Sequence, residues 1–205
     1  MQRAMGPGIA LIAVSGPPLI GKSTLARGIS ETLGIQAINV DDVRAQILPK
    51  SSGVLHTIEE EANFMMASYQ EMYRLAGGVL EGGRSVIVDA THSKEKYHDM
   101  IVNLALKEAV PLIVVLLDTA KISNLDLFLA ERMKYRETNG DSKSSIKGQA
   151  GIERVRNDDY RRFKAIGSGR VYRLIIADPN LPITKLVAQV SEELKRCLTE
   201  IKRGK

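Results

Sequence analysis

The segment Gly16 to Thr24, GPPLIGKST, places two glycines, a lysine and two hydroxyls at the spacing that grips a polyphosphate. Glycines let the main chain curl so that successive N–H groups and the N-terminus of a following helix face one anion. On that reading Gly16, Gly21, Lys22, Ser23 and Thr24 bind ATP. Lys22 reaches the β- and γ-phosphates, and the Ser23 hydroxyl ligates Mg2+. The apolar run Ile9 to Val14 enters the loop and a helical pattern leaves it, the setting a Walker A P-loop requires. A glycine–proline turn followed by an ordinary helix is the competing reading.

A phosphate grip alone does not separate kinases from GTPases or mechanical ATPases. An Asn-Lys-x-Asp guanine reader is absent, and 205 residues are few for a mechanical ATPase. Carboxylates at strand ends favour a kinase, because open α/β sheets bind ligands beyond the carboxyl ends of their strands. Asp41 and Asp42 follow an expected second strand; Asp89 closes SVIVD and Asp118 closes VVLLD. Asp89 is the first choice for organising Mg2+, with Asp118 the runner-up. Asp41 can take the proton of an attacking hydroxyl, whereas an Asp at this point can also cap the next helix.

Charge on a transferring phosphoryl group needs cations. Arg132 and Arg136 stand four apart on one helix face and can clamp phosphates, or pair at the surface with Glu131 or Glu137. Beyond them, ETNGDSKSSIKGQ (Glu137 to Gln149) loses all periodicity. It reads as a mobile lid, within a region of about 132–165, or as a plain solvated loop. Arg154, Arg156, Arg161 and Arg162 lie across it.

The elements that must position these groups are five apolar segments: Ile9–Val14, Ile35–Val40, Ser85–Val88, Leu112–Leu117 and Val171–Ile176. Helical patterns alternate with them, the signature of a buried parallel sheet in an α/β protein. Thr57 and Glu60 have capping-box spacing, opening a helix with the stripe Ile58, Ala62, Met65, Tyr69, Tyr73 and Ala76 that stops at Gly82-Gly83. Ser93 is expected to cap the next, whose stripe is Tyr97, Ile101 and Leu104. A short helix is expected over Val43–Leu48, and a last one carries Leu186, Val190, Leu194, Leu198 and Ile201, with Cys197 on or beside the stripe.

Composition sets bounds. The chain is 44% hydrophobic and 26% charged, ordinary values for one soluble domain spanning 1–205. A single cysteine rules out an internal disulfide and suits a reducing compartment. Arg3 before an apolar run imitates a signal peptide, but the run feeds straight into GKST and no stretch approaches ~18 apolar residues. A cytoplasmic, non-membrane location is expected. A net charge of +5 suits a polyanionic partner, or simply the nucleotide.

GPPLIGKST, INVDDVR (38–44), VIVDATHSKEK (86–96) and ERMKYR (131–136) together resemble the P-loop kinases that include polynucleotide 5′-hydroxyl kinases, zeta-toxin-like kinases and chloramphenicol phosphotransferase-like enzymes. The resemblance spans Ile9 to about Leu194. It implies an adenylate-kinase-like three-layer P-loop NTPase fold, a five-stranded parallel sheet in order 2-3-1-4-5 and a helical lid. It implies Asp41 as general base, Arg44 on an acceptor phosphate, Asp42, Thr91 and His92 around the acceptor, and Arg136 stabilising the transition state, with Arg132 beside the ATP. The implied reaction moves the γ-phosphate of Mg-ATP to an acceptor hydroxyl, first a nucleic acid 5′-OH, otherwise a small metabolite or antibiotic. A nucleotide-binding regulatory protein without efficient turnover is the reading of another class. Pro18-Leu19-Ile20 departs from the small residues these loops often carry.

Overall fold

The computed structural model describes residues 8–47, 57–138 and 173–204. Five strands, β1 (Leu11–Ser15), β2 (Gln36–Asn39), β3 (Val86–Asp89), β4 (Leu112–Leu117) and β5 (Arg173–Ala177), form one parallel sheet in the order β2-β3-β1-β4-β5. This is the expected 2-3-1-4-5 order. Among the described residues six α-helices accompany the strands: α1 (Lys22–Leu33), α2 (Val40–Ile47), α3 (Ile58–Glu81), α4 (Glu95–Lys107), α5 (Leu125–Thr138) and α6 (Ile183–Lys202).

The inner strands β3, β1 and β4 are buried along their whole length because both faces of the sheet are covered there, whereas the edge strands β2 and β5 are partly exposed. Leu11, Ala13, Val86, Val88, Leu112 and Val114 point to one layer, where α2, α3 and α4 pack through Val43, Tyr69, Met72, Ala76 and Ile101. Ile12, Val14, Ile87, Ile113 and Val115 point to the other, against Leu25 and Ile29 of α1 and Leu186, Val190, Leu194 and Cys197 of α6. There α1 and α6 meet closely: a Cβ on Gly28 would stand 2.5 Å from Val187 Cγ2.

Several boundaries differ from expectation for identifiable reasons. The Thr57 capping box is present, with Glu60 N–H donating to Thr57 Oγ1 and Thr57 N–H to Glu60 Oε2. The stripe it opens buries Tyr69, Tyr73 and Ala76 but leaves Ala62 exposed. Twenty-four helical residues rise about 36 Å whereas a four-residue strand covers about 13 Å, so the first turns overhang the sheet. Ser93 does not cap α4; Lys94 takes that position without a side-chain bond. The chain enters this turn through His92 at φ 50, in the left-handed region, and becomes extended again at Lys94. The expected Val43 start of α2 moves back to Val40, shortening β2.

No helix among the described residues is long and apolar enough to cross a membrane. The expected lid, Glu137 to Gln149 within 132–165, falls almost wholly outside the described residues, as do Arg154, Arg156, Arg161 and Arg162.

Candidate functional site

The carboxyl ends of β1, β2 and β3 share one edge of the sheet, with Val14 and Asn39 each in register with Asp89. Gly16 and Gly21 turn the chain out of β1 at φ 136 and 96, and Gly21 precedes the first turn of α1 with no side chain satisfying its amides. A Cβ on Gly16 would come within 2.8 Å of Leu117 O, so the loop's backbone lies directly on β4. Main-chain amides at a helix N-terminus, beside a buried lysine, make an anion cradle. Lys22 Nζ donates to Pro17 O at 2.7 Å, folded across the cradle it would serve. Ser23 and Thr24 are exposed at its rim.

Asp89, the last residue of β3, is buried. Burial raises its pKa; the charge of Lys22 and hydrogen bonding from Ser23 and Asn39 pull the other way. Asn39 Nδ2 donates to Asp89 Oδ2 and, at 3.2 Å, to Ser23 Oγ. The other oxygen, Asp89 Oδ1, is buried without a hydrogen-bond partner. A hydroxyl and an under-satisfied carboxylate fit Mg2+, which takes hard oxygen ligands, uses few from the protein and keeps waters and phosphate oxygens. No cluster of three or more acidic, histidine or cysteine side chains suits a metal among the described residues. Asp118, the runner-up, is instead engaged as the cap of a short 3-10 turn, accepting from Ala120 N at 3.0 Å.

Asp41 and Asp42 open α2, but neither caps it. Asn39 Oδ1 accepts from Asp41 N at 2.8 Å and Asp42 N at 3.1 Å, so Asn39 is the cap and the aspartates lie in the first turn. Asp41 Oδ1 accepts from Arg44 Nη1 at 2.5 Å. Asp42 lies on another side of α2, lining a cavity of about 430 Å3 with Gln36, Gln46, Leu75 and Arg84.

Thr91 and His92 tie the site to the core. Thr91 O accepts from Ser15 Oγ at 3.1 Å, and Thr91 Oγ1 lies 3.2 Å from Tyr69 OH. His92 is fully buried, its Nδ1 3.1 Å from Ala90 O, beside Tyr69 and Tyr73. Burial, with His98 nearby, brings its pKa down to about 3. Arg132 is exposed on α5, its guanidinium 5.2 Å from the Phe128 ring centre. Arg136 lies on the same helix one turn on, its side chain outside the described residues. Beyond β5, Asn180 Nδ2 donates to Lys121 O at 2.6 Å, joining the Asp178-Pro179-Asn180 loop to the turn capped by Asp118.

Sequence reasoning missed Asn39 as a site residue. Its signal was present: Asn is a preferred cap, and it stands three residues before Asp42 at a strand-to-helix junction.

A family model described as an AAA domain matches residues 11–151. An uncharacterized protein of Mycobacterium tuberculosis is 43% identical over 89 residues, which are 40% of this chain and 18% of that protein, so only a small part of the relative is matched. A cytidylate kinase of Methanothrix thermoacetophila is 35% identical over 79 residues, 35% of this chain and 46% of that one. Among solved structures, a candidate kinase from Chloroflexus aurantiacus aligns with TM-score 0.68 at 20% identity, covering 95% of this chain and 99% of its own. A gluconokinase from Sinorhizobium meliloti aligns with TM-score 0.59 at 20% identity and 97% of both chains. At such identities these structures carry the fold, that of P-loop kinases.

Proposed function

The chain belongs to the AAA domain family, and from that premise we propose that it is a kinase transferring the γ-phosphoryl group of Mg-ATP to a hydroxyl of an anionic small molecule. The observation that carries this reading is the pair Asp41–Arg44, a carboxylate and a guanidinium together at the end of β2 that holds Asn39, whose amide reaches the P-loop serine. A binding protein that merely holds nucleotide has no use for a base there.

In the proposed reaction the P-loop amides and Lys22 hold the triphosphate. Ser23 and Asp89 would hold Mg2+, which neutralises charge on the β- and γ-phosphates. Arg44 binds the anionic group of the acceptor, and Asp41 accepts its hydroxyl proton as the oxygen attacks the γ-phosphorus. The bond to the β–γ bridging oxygen breaks and ADP leaves. Arg132 and Arg136 are the candidates for stabilising charge on the transferring group.

A small acceptor is favoured by the gluconokinase-like fold; a polynucleotide 5′-hydroxyl draws on the same Asp41–Arg44 pair and on the net charge of +5. Labelled ATP and Mg2+ should be offered with sugar acids, hydroxy acids, 5′-hydroxyl oligonucleotides and nucleoside monophosphates in parallel. Label on a small hydroxyl compound is the expected result. Label on an oligonucleotide moves the acceptor to nucleic acid, label on a monophosphate rejects a hydroxyl acceptor, and label on none rejects the transferase reading.

A further inference from the structure

Asn39 makes four hydrogen bonds to three functional elements through one planar amide. Its Nδ2 donates to Ser23 Oγ on the P-loop helix and to Asp89 Oδ2 at the end of β3. Its Oδ1 accepts the amides of Asp41 and Asp42 at the start of α2. The two ends of the group are chemically different, so this arrangement has one orientation: the oxygen faces backbone donors and the nitrogen faces a hydroxyl and a carboxylate.

We propose that Asn39 is a positioning residue coupling occupancy of the nucleotide site to the placement of Asp41. The inference rests on the kinase reading and goes beyond it. A change at Ser23 or Asp89 when Mg-nucleotide arrives pulls on Nδ2; the amide is planar, so the shift is passed to Oδ1 and hence to the first turn of α2. Asp41 N–H is bonded directly to that oxygen, and the Asp41 carboxylate rides on the same residue. The chain thus has a route from donor site to base with two hydrogen-bond steps and no loop rearrangement. Register provides the footing, since Asn39 and Asp89 are paired across β2 and β3.

Two substitutions separate the halves of the group. Serine is a good helix cap, so Asn39→Ser keeps an acceptor for the α2 amides, while its side chain is too short to reach Ser23 and Asp89. Asn39→Ala removes both functions. Amide hydrogen exchange at Asp41 and Asp42 is read in the intact chain, with and without Mg2+ and a non-hydrolysable ATP analogue, with nucleotide binding followed by calorimetry. In the wild type these amides should be protected and slow by about fivefold or more when nucleotide binds. In Asn39→Ser they should stay protected without the analogue but show no added slowing although it binds. In Asn39→Ala exchange should be about five- to tenfold faster with or without it. Equal nucleotide-induced slowing in the wild type and Asn39→Ser overturns the coupling. Unchanged protection in Asn39→Ala overturns the cap. Failure of the wild type to bind the analogue at all defeats the kinase reading, and the coupling with it.

Discussion

Arg44 Nη1 stands 2.5 Å from Asp41 Oδ1, three residues along α2, so the proposed base is held by the proposed acceptor ligand. Asp41 is half-exposed while Arg44 is only 18% exposed, so the carboxylate faces the open side of the pair. An anionic acceptor entering there would compete with Asp41 for the guanidinium. Arg44 Nε, buried without a hydrogen-bond partner, adds a donor that such an anion can satisfy.

Asp41→Asn should lower phosphoryl transfer by about 10²–10⁴-fold while leaving nucleotide affinity near that of the wild type. Arg44→Ala should act mainly on the acceptor, raising its KM by roughly tenfold or more and sparing basal ATP hydrolysis. Steady-state kinetics with the acceptor found by the screen separates the two. An Asp41→Asn enzyme with undiminished turnover removes Asp41 from the chemistry.

Asp89 leads to a second prediction, about stability. Its folded pKa is raised by burial, so the folded state holds a proton more tightly than the unfolded chain. Stability contributed by the protonated form is therefore lost as pH rises from the ordinary carboxylate value through the raised one, and at pH 7 the bare carboxylate is a burden. Asp89→Asn should raise the Tm of the nucleotide-free protein at pH 7 and shrink the further rise that Mg-ATP gives the wild type. Thermal unfolding under both conditions decides it; a lower Tm without ligand, or an undiminished ligand effect, contradicts the assignment.

These residues differ in how far the sequence alone reveals them. The P-loop and the Thr57 capping box are local, and a motif with its flanking periodicity is enough to find them. β4 is legible for the same reason, as six apolar residues buried on both faces. Asn39 is legible as a cap but not as a brace, because its contacts with Ser23 and Asp89 depend on the register of β2 against β3 and on where α1 begins. Gly28 looks like any helical glycine until Val187, more than 150 positions away, is found against it. The buried cluster around His92 likewise needs three elements to meet: α3 brings Tyr69 and Tyr73, and α4 brings Tyr97 stacked on Tyr69 at 3.7 Å.

His92 gives the third prediction. Its folded pKa, about 3, lies below the unfolded value of 6.5, so its contribution to stability is full above pH 6.5 and is lost as pH falls toward 3. The slope approaches about 1.4 kcal/mol per pH unit within that window, so between pH 7 and 5 the loss is about 2 kcal/mol. Asn tolerates the left-handed backbone found here, which makes His92→Asn the suitable variant. Its Tm should fall less than that of the wild type between pH 7 and 5, by about 4–8 °C. Parallel pH profiles place the titrating group elsewhere.

Leu19 sets two effects against each other, and their sizes decide the outcome. It sits in the P-loop at φ 70, a left-handed conformation that costs a side chain of this kind about 1–2 kcal/mol. Its side chain is nonetheless buried in the core layer shared with α1 and α6. Truncating a buried leucine costs about 2.7–5 kcal/mol, more than the strain it would relieve. The leucine therefore anchors the loop to the core, and the strained backbone is tolerated because burial outweighs it. Leu19→Gly should be destabilised by about 2 kcal/mol, having lost the anchor and recovered the strain. Leu19→Ala loses the anchor and keeps the strain, so it should be the less stable of the two by about 1 kcal/mol, the reverse of the order found where φ is negative. Denaturant unfolding of the three proteins gives the ranking, expected as Leu, then Gly, then Ala. If Ala proves as stable as Gly, the left-handed backbone at Leu19 carries no strain.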